Sequence, residues 1–262
     1  LLLALSMALG LAACSGQDGK ESDNSGDSDL AYIQEKGTLV VGITEFEPMD
    51  YTDADGNWIG FDADMARAFA ESLGVEAQFQ VIADWDSKVM ELEGKTVDVV
   101  WNGMTLTEDV LTAMECSNPY FSNGQVVIVP ADKAGDYQTE ESLADLQFAV
   151  ENGSAGQEEL DRLGYSYTPV QDQATALMEV AAGTSDAAVV DYLMAAAMTG
   201  EGTSYEDLAY TVQLNSEEYG VGFRKGSDLA AELNQFFQEQ YASGEMQKIA
   251  DKYNIADKLI EQ

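Results

Sequence analysis

The chain has 262 residues, with 12 Lys and Arg against 48 Asp and Glu, no His, and a formal net charge of −36 at pH 7. So acidic a balance argues against nucleic acid and anionic membrane surfaces as partners. The absence of histidine removes His-based catalysis and imidazole metal sites, and the two cysteines, Cys14 and Cys116, form no CxxC pair that would point to zinc. The length suits one large or two small domains.

Residues 1–13, LLLALSMALGLAA, are an apolar run ending in small residues. The run is short for a spanning helix and reads as the hydrophobic part of a secretion signal. Leu11-Ala12-Ala13-Cys14 resembles the bacterial lipobox, so Cys14 is the expected site of lipidation. Residues 15–29 contain no apolar side chain and cannot pack, and a flexible tether is expected from Cys14 to residue 34. Export with a tether predicts an envelope protein held on the outer face of the cytoplasmic membrane. With Cys14 acylated, Cys116 has no disulfide partner and is expected to be a small buried residue.

The body alternates strands and helices. Residues 38–43 (TLVVGI) read as a strand buried on both faces. Pro48 makes FEPMDY a loop, and DADGNW at 53–58 is a turn that only faintly resembles a calcium loop, since Trp58 stands where that loop needs glycine. Residues 62–74 form an amphipathic helix, with Asp62 a candidate cap and Gly74 a stop. A strand at 75–81, a helix from Trp85 and a strand at 95–101 follow. The turn Asn102–Gly103 then leads to a helix capped by Thr107. This alternation predicts a parallel sheet with helices on its faces. Strands at 125–130, 148–151, 167–170, 187–190 and 210–214, with helices between, make a second α/β unit; a further strand at 220–223 and helices at 229–242 and 246–258 finish the chain. Residues 102–107 sit at the carboxyl end of a strand, where open α/β sheets bind ligands. A routine strand-to-helix connection accounts for the same spacing.

FEPMDY, GFDADMARAFAESLG, WNGMTLT, CSNPY, ENGSAG, SDAAVVDY and YGVGFRKGSDL occur together in this order. In these motifs the chain resembles the solute-binding proteins of amino-acid ABC transporters from residue 39 to 252. The resemblance implies a type II periplasmic-binding-protein fold: two α/β lobes joined by two crossing strands, with the ligand between them. Lobe one would be residues 35–121 plus 219–262, and lobe two residues 122–218. It implies a monomer that captures a small polar solute, an amino acid, closes by a hinge, and delivers it to a permease pair served by a cytoplasmic ATPase, with no cofactor, metal or covalent chemistry.

Carried over by motif, Asp191 would bind the ligand ammonium together with the Gly103 carbonyl and the Thr105 hydroxyl. An aspartate after a strand also serves as a helix N-cap. Asn102 belongs to the same lip. The N–H groups of Ser154, Ala155 and Gly156 at a helix start would receive the ligand carboxylate, and Phe46 and Trp85 would flank its side chain. The chain departs from the pattern at Val110, where relatives commonly carry an arginine for that carboxylate. No Lys or Arg lies between Lys95 and Lys133 to replace it locally. Backbone amides alone, Lys88 reaching into the cleft, or a ligand that is an amine or modified amino acid would each account for the change. Two other readings remain in the sequence. One is an enzyme on the same scaffold, a dehydratase or a cell-wall-acting type, with Glu45, Glu47 and Asp84 as the available carboxylates. The other is a sensor or adhesive envelope protein.

Overall fold

A computed structural model of the chain describes residues 28–262. The apolar leader, Cys14 and the tether up to residue 27 lie outside the described residues. The tether expected to run through residue 34 is corrected over its last residues, because 29–36 form a helix. Ser28 accepts a hydrogen bond from the Ala31 N–H and opens the helix Asp29–Lys36. Ile33 on that helix is fully buried, and Asp29 pairs with Arg224 at 2.9 Å. Eight residues are too few to display a helical period in a sequence window, so this helix has no sequence signature of its own.

Two sheets organise the molecule. In lobe one the strand order is Glu76–Val81, Thr38–Ile43, Val99–Thr105, Glu217–Phe223, Glu115–Cys116, with Phe121–Asn123 also paired to Glu217–Phe223. In lobe two it is Tyr167–Val170, Phe148–Glu151, Ala187–Asp191, Gln125–Pro130, Leu208–Gln213. The expectation of wholly parallel sheets is corrected. Thr38–Ile43 is parallel to both its neighbours, but Glu217–Phe223 runs antiparallel to Val99–Thr105, and Gln125–Pro130 is antiparallel to both its neighbours. The cause is the passage between lobes. Strands that enter from the other lobe need no helical crossover and so arrive in the opposite sense.

The two passages lie side by side. Phe121–Asn123 continues into Gln125–Pro130, and Leu208–Gln213 returns into Glu217–Phe223. Asn123 pairs antiparallel with Glu217, and Phe121 with Tyr219. Both sheets are covered on both faces. Trp101 packs edge-on against Phe69 and Phe237 on one face of the first sheet, and Val97, Val100, Met104 and Met114 fill the other. Phe148, Val150, Val127 and Leu160 line one face of the second, and Ala149, Leu177 and Val180 pack on the opposite side.

Most element positions agree with the sequence expectations to within a few residues. Three differ in ways that matter. Asn102 and Gly103 are not a turn but part of one strand, Val99–Thr105, whose pairing with Glu217–Phe223 is irregular near Gly220–Gly222. Asp62 does not cap its helix. That helix, Phe61–Ser72, has no side-chain cap, and Asp62 is fully buried beneath the site. The last helix stops at Lys252 because Asn254 takes a left-handed conformation (φ 58°), and a short turn Ala256–Lys258 follows. Cys116 is half-buried and free, and burial lifts its thiol pKa to about 11.

Candidate functional site

Between the lobes lies a cavity of about 350 Å³, within the usual range of roughly 300–1,000 Å³ for small-molecule sites. Lobe one contributes Phe46, Trp85, Lys88, Asn102, Gly103 and Thr105, and lobe two contributes Ser154, Ala155 and Asp191. Nine of the ten ligand-site residues expected from sequence therefore meet at one place. The tenth, Gly156, lies behind the wall, where an added Cβ would press on Gln125 Oε1 and the Val189 and Val150 side chains.

Asp191 ends the strand Ala187–Asp191 and is 3% exposed. It stands at the N-cap position of helix Tyr192–Met198 but makes no capping hydrogen bond. Its Oδ1 instead accepts from the side-chain amides of Asn123 and of Gln125 (2.8 Å), and its Oδ2 accepts from Gln173. A carboxylate has about four acceptor positions, so this arrangement leaves room for one more donor. Burial, and then the nearby Glu217, raise the Asp191 pKa well above the usual carboxylate range. A cationic partner in the cavity would reverse that penalty.

The other expected partners of an ammonium group stand opposite. Gly103 occupies φ +55°, and a Cβ there would lie 2.6 Å from the Phe46 ring, so only glycine lets the strand pass this close to the ring. The Thr105 hydroxyl donates to Glu217 Oε1 at 2.9 Å and keeps its lone pairs. The Asn102 amide is already committed, since it accepts from Thr44 N (2.9 Å) and donates to Thr44 Oγ1 (2.7 Å), and it locks two neighbouring strands.

On the carboxylate side, Ser154 caps the helix Ala155–Leu163 by accepting from Gln157 N. The Ser154 N–H donates to the Glu151 carbonyl at 3.3 Å, and Ala155, the first helical residue, lines the cavity at the positive end of the helix dipole. Val110, where the resemblance implies an arginine, packs with Met104 and Met114 and still lines the cavity, so this part of the wall is apolar. Lys88 is 7% exposed, and its Nζ donates to the carbonyls of Trp85 (3.3 Å) and Gly153 (3.1 Å). It takes part in no ion pair among the described residues. Burial lowers its pKa, opposed first by Glu151.

The Lys88–Gly153 bond crosses between lobes, as does Asn152 Nδ2 to Asp84 Oδ1 at 3.0 Å. Gly153, at φ +71°, brings its α-carbon so close to lobe one that a Cβ would sit 2.6 Å from Asp86 Cα. The lobes are thus closed on this side of the cleft. Glu45, Glu47 and Asp84, the carboxylates considered for an enzyme, do not line the cavity. Sequence reasoning missed Glu151, Gln125 and Gln173, which do line it, and Asn123 behind them. Only Glu151 carried a signal, being an acid in the otherwise apolar strand FAVE.

Beneath the floor lies a buried carboxyl pair. Asp62 accepts from Gly103 N (2.6 Å) and from the Tyr120 hydroxyl (2.8 Å). Neither oxygen of fully buried Asp50 has a hydrogen-bond partner. Burial pushes Asp62 from the ordinary 3.8 up to about 7, and burial followed by Asp62 raises Asp50. An acid whose folded pKa is raised contributes stability that is complete below its unfolded value and is lost as pH rises through the folded one. The ligand-free melting temperature is therefore expected to fall between pH 5 and pH 8. Asp50→Asn should flatten that slope; an unchanged slope in differential scanning fluorimetry would free the pair of responsibility.

A hinged, two-lobed body with a polar cleft between its halves is a ligand-capturing receptor fold. Residues 39–256 match the bacterial extracellular solute-binding proteins, family 3, and the chain belongs to that family. It is 30% identical over 233 residues to the L-cystine-binding protein TcyJ of Escherichia coli (strain K12), covering 87% of this chain and 86% of that one. The structure of holo ArgBP from T. maritima is similar with a TM-score of 0.75 at 32% identity, covering 80% of this chain and 93% of the other. The ancestral amino acid-binding protein AncCDT-1, described as a precursor of cyclohexadienyl dehydratase, gives a TM-score of 0.78 at 29% identity, covering 86% and 99%. The family is extracellular by description, so the chain works outside the cytoplasm. Among the described residues no helix is long and apolar enough to cross a membrane.

Proposed function

We propose that this protein captures an amino acid between its lobes and hands it to the permease of an ABC importer, without chemical change to the ligand. The observation that carries the reading is Asp191, a buried carboxylate at the cleft with one acceptor position left after three amide donors. In this scheme the ligand ammonium binds Asp191, the Gly103 carbonyl and Thr105, and its carboxylate meets Lys88 and the helix start at Ser154–Ala155. Phe46 and Trp85 flank the side chain. The relative named for binding L-cystine and the ancestral amino acid-binding protein support the amino-acid class. Cys14 would carry the lipid anchor, with residues 15–27 as the tether of a monomeric receptor.

A screen of amino acids and simple amines by Trp fluorescence tests this, since Trp85 lies in the cleft wall. Stoichiometric retention without turnover is expected. Turnover would favour the enzyme reading, and amines binding tighter than the matching amino acids would move the ligand class. Lys88→Met should weaken amino acids by about 1.5–3 kcal/mol, the worth of a hydrogen bond to a charged group, while leaving amines that lack a carboxylate unaffected. Equal losses for both classes, measured by calorimetry, would remove Lys88 from the carboxylate site.

A further inference from the structure

The cavity is lopsided in charge. Asp86, Asp109, Glu151, Glu158, Asp161 and Asp191 line it, against Lys88 alone. Asp86, Asp109, Glu158 and Asp161 are exposed at the rim, where water screens them. The buried charges are Asp191, Glu151 and Lys88. Asp191 has its three amide donors, and Lys88 has two carbonyls. Glu151 differs. It is 4% exposed, its Oε1 has no hydrogen-bond partner, and no ion pair joins it to Lys88. A buried carboxylate left unpaired by its own protein is costly unless something else pairs it.

Glu151 ends the strand Phe148–Glu151, next to Ala187–Asp191 in the same sheet, so the two carboxylates project from neighbouring strand ends into one cavity. An amino acid that uses Asp191 for its α-ammonium and Lys88 for its carboxylate cancels those two charges. Glu151 then remains in the cavity wall with its Oε1 unpartnered; burial, and then Asp191, raise its pKa, and a second cationic group on the ligand would favour its ionised form.

We propose that Glu151 is a specificity-determining residue that pairs with a second positive group on the ligand, so that the receptor selects cationic amino acids over neutral ones of the same size. With such a ligand the buried charges sum to zero: two carboxylates and one ammonium of the protein against two positive groups and one carboxylate of the ligand. This rests on the amino-acid reading above and deepens it by naming the side-chain class.

The test is isothermal titration calorimetry of the full chain with L-lysine, L-ornithine and L-arginine, against the neutral L-norleucine, L-glutamine and L-citrulline. At least one basic amino acid is expected to bind ten times or more tighter than each neutral one. Glu151→Gln, which keeps size and hydrogen-bonding capacity, should weaken the basic ligand at least tenfold and change neutral ligands less than threefold. Wild-type preference for a neutral amino acid, or an equal loss for both classes in the variant, overturns the assignment of Glu151 and leaves the amino-acid reading intact. No binding of any amino acid by a wild-type protein that circular dichroism shows folded overturns both. Glu151→Leu is the second variant. It removes the buried charge, so retained basic-ligand affinity there would also overturn the proposal, whatever becomes of the glutamine form.

Discussion

Asp191→Asn is expected to cost about 2–5 kcal/mol of ligand affinity, roughly 30- to 4,000-fold in Kd. The estimate follows from the setting of the carboxylate. It is buried, its oxygens are oriented by amides of Asn123, Gln125 and Gln173, and its negative charge is what a ligand ammonium would neutralise. Asparagine preserves shape and one acceptor oxygen but presents an N–H₂ where the other oxygen accepts from Gln173. The charge is the main thing removed. In the ligand-free protein that charge is disfavoured by burial, so its loss should not unfold the molecule, and a melting temperature within about 4 °C of the parent is expected. Calorimetry with the best ligand from the amino-acid screen measures the first quantity and scanning fluorimetry the second. Affinity within threefold of the parent would take Asp191 out of the binding site.

The second large effect concerns the scaffold. Arg224 closes the far end of lobe one. Its Nε and Nη2 donate to Asp29, and its Nη1 donates to the carbonyls of Leu92 and Val97 at 3.1 Å. Its Nη2 also lies 3.7 Å from Asp98, which is fully buried and shared with Lys36 at 2.5 Å and the Val40 N–H at 2.8 Å. Arg224→Ala would leave two buried carboxylates short of positive charge and two carbonyls without a donor. Breaking a buried pair from one side costs about 3–5 kcal/mol. For a chain of this size that lowers the melting temperature by about 6–20 °C. Arg224→Lys should recover less than half, because an ammonium cannot span a carboxylate and two carbonyls with one planar fork. Ligand affinity should stay within twofold, since Arg224 is remote from the cleft. A shift below about 3 °C would show that Lys36 alone suffices for Asp98.

The closed cleft also explains why Asp191 sits where it does. Asn123 and Gln125 flank the passage from lobe one to lobe two, and both give their side-chain amides to Asp191 and to Glu217 on the returning passage. The carboxylate offered to the ligand is therefore tied to the hinge itself. A change of charge at Asp191 is felt where the lobes turn.

Much of this was legible in the residues alone. Apolar runs such as TLVVGI and the helical spacing of Met65, Ala66, Phe69 and Ala70 mark strands and helices, because burial imposes a period of two or 3.6 on any amphipathic element. The order of those elements indicates two α/β units, and the motifs name nine of the residues that line the cavity. The tertiary structure decided what periodicity cannot carry. Which strands run antiparallel depends on the chain's passage between lobes, and the fate of Asp62 depends on Tyr120 and Gly103, 58 and 41 residues away. The isolation of Glu151 likewise depends on what fails to reach it through space. A sequence window records which side chains are apolar, while the pairing of a buried charge is settled by partners that only folding brings near.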